Sequence, residues 1–158
     1  MLVAEVRTVA PDDWRPRRDV RLRALAGAPE ACGSSLAEWA TADERRWRQR
    51  LEDVPFNVIA ISNGLPIGQA SGTAADDHGR VELISMWVAP EARGTGTARA
   101  LVDAVTDWAR AVDAVGVRLS VRRANKRAIR LYVETGFIRI DEDGDEPAEL
   151  AMVRPLHP

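Results

Sequence analysis

The stretch Val88-Ala89-Pro90-Glu91-Ala92-Arg93-Gly94-Thr95-Gly96-Thr97-Ala98 decides how this chain is read. It stands between two segments of different periodicity. Before it, Arg80-Val81-Glu82-Leu83-Ile84-Ser85-Met86-Trp87-Val88 reads as a strand. After it, Ala98, Leu101, Val102, Val105, Trp108, Ala109 and Val112 recur at helical spacing. Gly94 and Gly96 remove side chains where the backbone must turn, which exposes consecutive N–H groups. Those groups lie at the start of a helix, where unpaired donors and the positive end of the dipole favour an anion. Arg93 adds a full positive charge. The physical content of the stretch is a phosphate cradle on a strand–loop–helix unit.

Outward from this unit, toward the C-terminus, residues 116–121 read as a strand, 125–135 as a helix, and 137–140 and 150–153 as two further strands. The strand–helix–strand crossover around the quoted loop requires a parallel pair. Toward the N-terminus, residues 56–62 and 65–75 form a hairpin about Asn63-Gly64, a strong short-range hairpin signal. Residues 2–9 give a short strand. Residues 14–25 give a helix with the arginine-rich face Arg15, Arg17, Arg18, Arg21 and Arg23, and 27–35 form a loop. A second helix starts at Thr41, because Thr41-Ala42-Asp43-Glu44 has capping-box spacing, with Trp47 and Leu51 on one face. The fold class is mixed α/β: antiparallel strands early, a parallel crossover later, in a single domain over residues 1–158.

Composition narrows the function classes. The chain has 158 residues, 46% apolar and 29% charged, enough to bury one core. Its 22 basic residues against 24 acids leave a net charge of -2, so no global field holds it on nucleic acid. A lone cysteine, Cys32, and two distant histidines, His78 and His157, offer neither a disulfide framework nor a multi-cysteine zinc site. Residues 54–75 carry no charge, but Pro55, Asn63-Gly64 and Pro66 interrupt them and Gln69, Ser71 and Thr73 are polar, so they are no membrane helix. No basic start precedes an apolar run, and the expectation is a soluble, cytoplasmic protein.

Three phosphate-loop types compete for the decisive stretch. The pattern GxxxxGK[ST] is absent. A GxGxxG fingerprint beginning at Gly94 would place Arg99 where the third glycine permits close helix–strand contact. The third type, Arg-x-x-Gly-x-Gly/Ala, is met in full by Arg93-Gly94-Thr95-Gly96-Thr97-Ala98. Here the chain resembles the GNAT family of N-acetyltransferases, whose pyrophosphate loop for acetyl-coenzyme A has that form. The same resemblance requires, after the next strand, a helix with Asn, Ala and Tyr followed by Gly-Phe. Asn125, Ala128, Tyr132 and Gly136-Phe137 stand in that order. The element order suits the family over nearly the whole chain, and the N-terminal third matches loosely.

The resemblance implies an N-acetyltransferase fold with a splayed sheet centre, acetyl-CoA as acyl donor, a primary amine as acceptor and no metal. It implies contacts to the cofactor from Trp87, Val88, Arg93, Gly94, Thr95, Gly96, Thr97, Ala98, Arg99, Asn125 and Arg127, with backbone N–H groups near Trp87 and Val88 serving the developing oxyanion. Tyr132, the chain's only tyrosine, is either a general acid or a half-buried core aromatic. Glu82 is either a general base or a surface charge on its strand. Asn125 also has the makings of a helix N-cap.

A different activity class stays open beside catalysis: a non-catalytic acyl-CoA-binding module on the same fold. Neither reading implies a nucleic-acid or membrane partner, and the assembly is a monomer or a homodimer. The nine residues from Asp141 to Glu149 hold six carboxylates. They are either a solvated turn or a feature that draws a cationic acceptor to the site.

Overall fold

The structure is a computed structural model describing residues 4–27, 36–141 and 147–156. In chain order the elements are β1 (Glu5–Thr8), α1 (Trp14–Gly27), α2 (Leu36–Ala40), α3 (Glu44–Asp53), β2 (Phe56–Ser62), β3 (Leu65–Gly72), β4 (Arg80–Val88), α4 (Thr97–Ala111), β5 (Gly116–Arg122), α5 (Lys126–Glu134), β6 (Ile138–Ile140) and β7 (Glu149–Pro155). The strands form one seven-stranded sheet in the order β1-β2-β3-β4-β5-β7-β6. Every neighbouring pair is antiparallel except β4 and β5, which are parallel and joined by α4. The expected hairpin forms at Asn63-Gly64, both with positive φ (51° and 78°), as a two-residue turn of matching twist demands.

β3, the third strand across the sheet, is covered on both faces. Gly68 and Gly72 face α4: a Cβ built on Gly72 would sit 2.5 Å from Cζ3 of Trp108, and one on Gly68 would meet Leu101 at 3.0 Å. These small residues let the helix lie close on the sheet. The intervening Gln69 and Ser71 are fully buried on the other face, where α1 packs. Buried polar groups require partners. Gln69 accepts a hydrogen bond from Nη1 of Arg17, and Ser71 Oγ donates to Asn57 Oδ1 at 2.7 Å. The arginine-rich face of α1 is thus not one solvated surface, because Arg17 and Arg21 are buried.

Two expectations near the N-terminus need correction. Residues 36–40 form the short helix α2, where no helix was expected, and Thr41 belongs to its end: its hydroxyl donates to the Ala37 carbonyl at 3.1 Å. The cap of α3 is Asp43, whose Oδ1 accepts from the Arg46 N–H at 3.0 Å. The carboxylate two residues on takes the capping role from the hydroxyl. α2 is held by its tryptophan, since the Trp39 and Trp47 rings lie 4.6 Å apart. β3 also ends at Gly72 rather than at residue 75. Cys32 and His157 lie outside the described residues.

The feature that makes a site is the centre of the sheet. β4 and β5 pair over only three residues each, Arg80–Glu82 against Gly116–Arg118. Beyond Glu82, β4 keeps a strand neighbour on its β3 side alone, so its other edge is open. In that part β4 also carries an extra residue: Gln69 pairs with Trp87 and Ser71 with Ile84, so three steps along β4 match two along β3. This is a β-bulge, and Ser85 within it has φ +56°, a strained conformation for a residue with a side chain. No helix among the described residues is long and apolar enough to cross a membrane.

Candidate active site

The divergence of β4 from β5 opens a cleft of about 1070 Å³, walled by β4 from Glu82 to Val88, β5 from Leu119 to Arg122, the start of α4 and one face of α5. The loop Arg93–Gly96 enters it from the end of β4. Gly94 and Gly96 have φ of +77° and +88°, values that ordinary side chains avoid. A Cβ built on either would meet nothing within 4 Å, so both glycines border open space. Gly96 is the N-cap of α4 and offers no capping side chain. The first-turn N–H groups of α4 therefore lack the partner that a Ser or Asp cap provides. Thr95 and Thr97 do not line the cleft; their hydroxyls bond one another at 2.8 Å, and Thr95 also donates to the Ala92 carbonyl, which fixes the loop from behind.

The opposite wall is built by α5. Asn125 caps it, its Oδ1 accepting from the Ala128 N–H at 3.2 Å. The helix ends in a Schellman motif: Phe137 N–H donates to the Tyr132 carbonyl at 2.9 Å and Gly136 N–H to the Val133 carbonyl at 3.1 Å, with Gly136 at φ +99°. The apolar contact that accompanies this motif is between Phe137 and Tyr132 themselves, ring centroids 5.6 Å apart. The Tyr–Gly–Phe spacing thus has a local cause. Gly136 permits the reversal, and Phe137 returns to hold the tyrosine ring. Tyr132 is buried at 6% exposure yet lines the cleft, and burial pushes its phenol up to about 12.

Glu82 stands where the sheet opens. It lies opposite Arg118 in the parallel register, and Arg118 Nη1 donates to its Oε1 at 3.0 Å. Both readings of this residue keep a footing, since it is ion-paired and also faces the cleft. Trp87, Val88, Arg93, Ala98, Arg99, Asn125 and Arg127 line the same cleft. Arg99 also reaches Glu134 at 3.8 Å, a contact between the first turn of α4 and the end of α5. Sequence reasoning missed Ser85 and the arginines Arg21 and Arg50, all of which line the cleft. The neutral residues at 69 and 71 were a readable sign of buried polar partners, but the bulge at Ser85 has no signal in the sequence. Residues 142–146 of the acidic turn lie outside the described residues, and Glu149 lines the cleft.

A mixed sheet that splays beside a glycine loop at a helix start defines a class of fold, and comparison with known proteins gives it a family. The model of the Acetyltransferase (GNAT) family matches residues 21–137. Proteins described as uncharacterized N-acetyltransferases of Mycobacterium tuberculosis and Mycobacterium bovis are each 33% identical over 116 residues, 72% of this chain and 74% of theirs. The PaiA N-acetyltransferase of Thermoplasma acidophilum, solved in complex with coenzyme A, superposes with a TM-score of 0.75 at 16% identity, covering 98% of this chain and 99% of that one. The ribosomal-protein-alanine N-acetyltransferase of Brucella melitensis gives 0.76 at 21% identity over 96% and 99%. The chain belongs to the GNAT acetyltransferase family.

Proposed function

We propose that this protein is an acetyl-CoA-dependent N-acetyltransferase that acetylates a primary amine by direct attack. The observation that carries the reading is the meeting, in one cleft, of an uncapped helix start flanked by positive-φ glycines with a buried tyrosine on the facing helix. The fit to the donor is physical. The space that side chains would fill at Gly94 and Gly96 is open, and the first-turn N–H donors beside it have no side-chain cap, as a pyrophosphate requires. Arg93, Arg99 and Arg127 add positive charge along the same cleft.

Bound acetyl-CoA supplies a thioester-activated acetyl group. The protein's residues do the rest. The open edge of β4 around Trp87 and Val88 presents backbone N–H groups where an oxyanion develops. Tyr132 is neutral at physiological pH, and burial raises its phenol further from ionisation, so it serves as a proton donor to a departing thiolate and not as a base. Glu82 receives the proton of the incoming ammonium, directly or through water, while Arg118 fixes the direction of its carboxyl group. An amine panel assayed by release of free thiol tests the reading. Turnover of any amine supports it, whereas acetyl-CoA binding with no turnover across the panel would make the chain an acyl-CoA-binding module instead.

A further inference from the structure

The bulge of β4 is held from outside the strand by a chain of polar groups. Ser71 lies opposite Asn57 in the β2–β3 register and opposite Ile84 in the β3–β4 register, where the bulge begins. Its Oγ donates to Asn57 Oδ1 at 2.7 Å, and both residues are buried. Asn57 Oδ1 also accepts from Nη1 of Arg50 at 3.3 Å. The amide nitrogen of Asn57 donates to the carbonyl of Val54, the C-cap of α3, at 2.8 Å. Arg50, in the last turn of α3, then donates from Nη2 to Ser85 Oγ at 3.2 Å. The planar fork of the guanidinium thus runs from β2 to the bulge residue with positive φ. A serine keeps that conformation only where its surroundings hold it.

The bulge decides which backbone groups face the cleft. Ala89 N–H donates to the Ile67 carbonyl at 2.8 Å, on the β3 side. By the alternation of an extended strand, the N–H of Val88 therefore points to the open edge. A ladder without the extra residue would pair Gln69 with Met86 and Gly68 with Trp87. Val88 would then take the place of Ala89, roughly 3.3 Å on, with its N–H turned in toward β3. Trp87 would take the outward place, with its ring turned to the opposite face of the sheet. We propose that Arg50, seated on Asn57, is a positioning residue for acetyl transfer: by holding Ser85 it keeps the bulge, and so aims the Val88 N–H at the thioester carbonyl. This deepens the acetyltransferase reading and rests on it. Arg50 acts here through the backbone of β4, without touching the reacting atoms.

The test compares Arg50→Met, Ser85→Ala and their combination with the wild-type full chain. Amide spectra of isotope-labelled protein, titrated with acetyl-CoA and with coenzyme A, need no acceptor. In the wild type the Val88 N–H resonance is expected to shift further with acetyl-CoA than with coenzyme A, which lacks the thioester carbonyl. Each single variant is expected to abolish that difference while calorimetric affinity for coenzyme A is unchanged. With an amine that the thiol-release panel identifies, kcat is expected to fall about 10- to 100-fold in each, with the KM of acetyl-CoA and the pH profile unmoved. The double variant is expected to fall no further than either single one, because both cut the same bond. Ser85→Gly, which tolerates positive φ without a tether, is expected to lose less than Ser85→Ala. A merely structural Arg50 would lower the unfolding midpoint and leave kcat and the Val88 difference alone, which overturns the proposal. So does a wild-type Val88 resonance that responds equally to both ligands, or a loss confined to the acceptor KM. If Arg50→Met does not fold, Ser85→Ala carries the same comparison. A panel without turnover would strike the enzyme reading, and the Val88 difference would still judge the role of Arg50.

Discussion

Tyr132 can be isolated spectroscopically because it is the chain's only tyrosine. Burial moves its phenol from 10.0 to about 12, so the near-ultraviolet tyrosinate band of the folded protein is expected to rise about two pH units later than in denaturant. The sign follows for stability. The folded value is the higher one, so the contribution is fully present below pH 10 and is lost as pH climbs through 12. A folded-state midpoint at the ordinary value would show that the ring is not held as described. Tyr132→Phe keeps the ring against Phe137 and removes only the hydroxyl, so kcat is expected to fall on the order of 10²-fold at constant affinity for coenzyme A. An unchanged kcat with chemistry rate-limiting would leave Tyr132 a packing residue. Glu82→Gln retains an acceptor for Arg118 but cannot take up a proton. The acidic limb of the pH–rate profile is expected to shift or vanish, and an unaltered limb would assign the proton to water or another group.

At the scale of elements, the glycine loop and β3 make separate demands. Gly96→Asp places a carboxylate in the open space before α4, against a pyrophosphate of like charge. Asp tolerates the left-handed backbone better than most residues, so the fold is expected to survive while calorimetric affinity for coenzyme A collapses. Retained affinity would remove the loop from the donor site. Gly72→Ala pushes on the Trp108 ring, itself stacked on Phe56 at 5.0 Å. A loss of about 1–3 kcal/mol in denaturant unfolding is expected, and an unchanged midpoint would mean that Trp108 yields freely. These elements were legible to different degrees. β2 and β4 follow from β-branched and apolar runs bounded by turns, and α4 from its periodicity. α2 escaped because a five-residue helix has too few turns to show a period, and its support is a tertiary contact between Trp39 and Trp47. The shift of the α3 cap from Thr41 to Asp43 shows two capping residues competing two positions apart, with Thr41 taken up by the end of α2.

Across the whole molecule, what the sequence disclosed was the part of the cleft bordered by the glycine loop and α5. The residues around Gly94, Gly96, Asn125 and Tyr132 act through local backbone geometry, a loop, a cap and a helix end, and local geometry leaves a spacing pattern. The wall of the cleft away from the glycine loop is assembled from α1, α3 and the bulge of β4, over sequence separations of 29 residues between Arg21 and Arg50 and 35 between Arg50 and Ser85. Such a site leaves no periodic trace. A buried arginine in a helix reads in the sequence like a solvated one.

The three-residue ladder between β4 and β5 bears on how the molecule opens. Strands β1–β4 and strands β5, β7 and β6 are each joined internally by antiparallel pairing, while the seam between the two groups is short. The two half-sheets are therefore expected to behave as separate cooperative units in native-state hydrogen exchange, their amides protected to different degrees. A donor lodged between Gly96 and Tyr132 would touch one unit with each end. Binding would then act as a rivet, making the opening of either half require release of the same ligand. Saturation with coenzyme A should raise protection in α4 and in α5 by a common increment set by affinity and concentration. Protection gained around the glycine loop alone would show that the far half never holds the ligand. A seam too short to weld the sheet would leave the joining of its two halves to a ligand that reaches both.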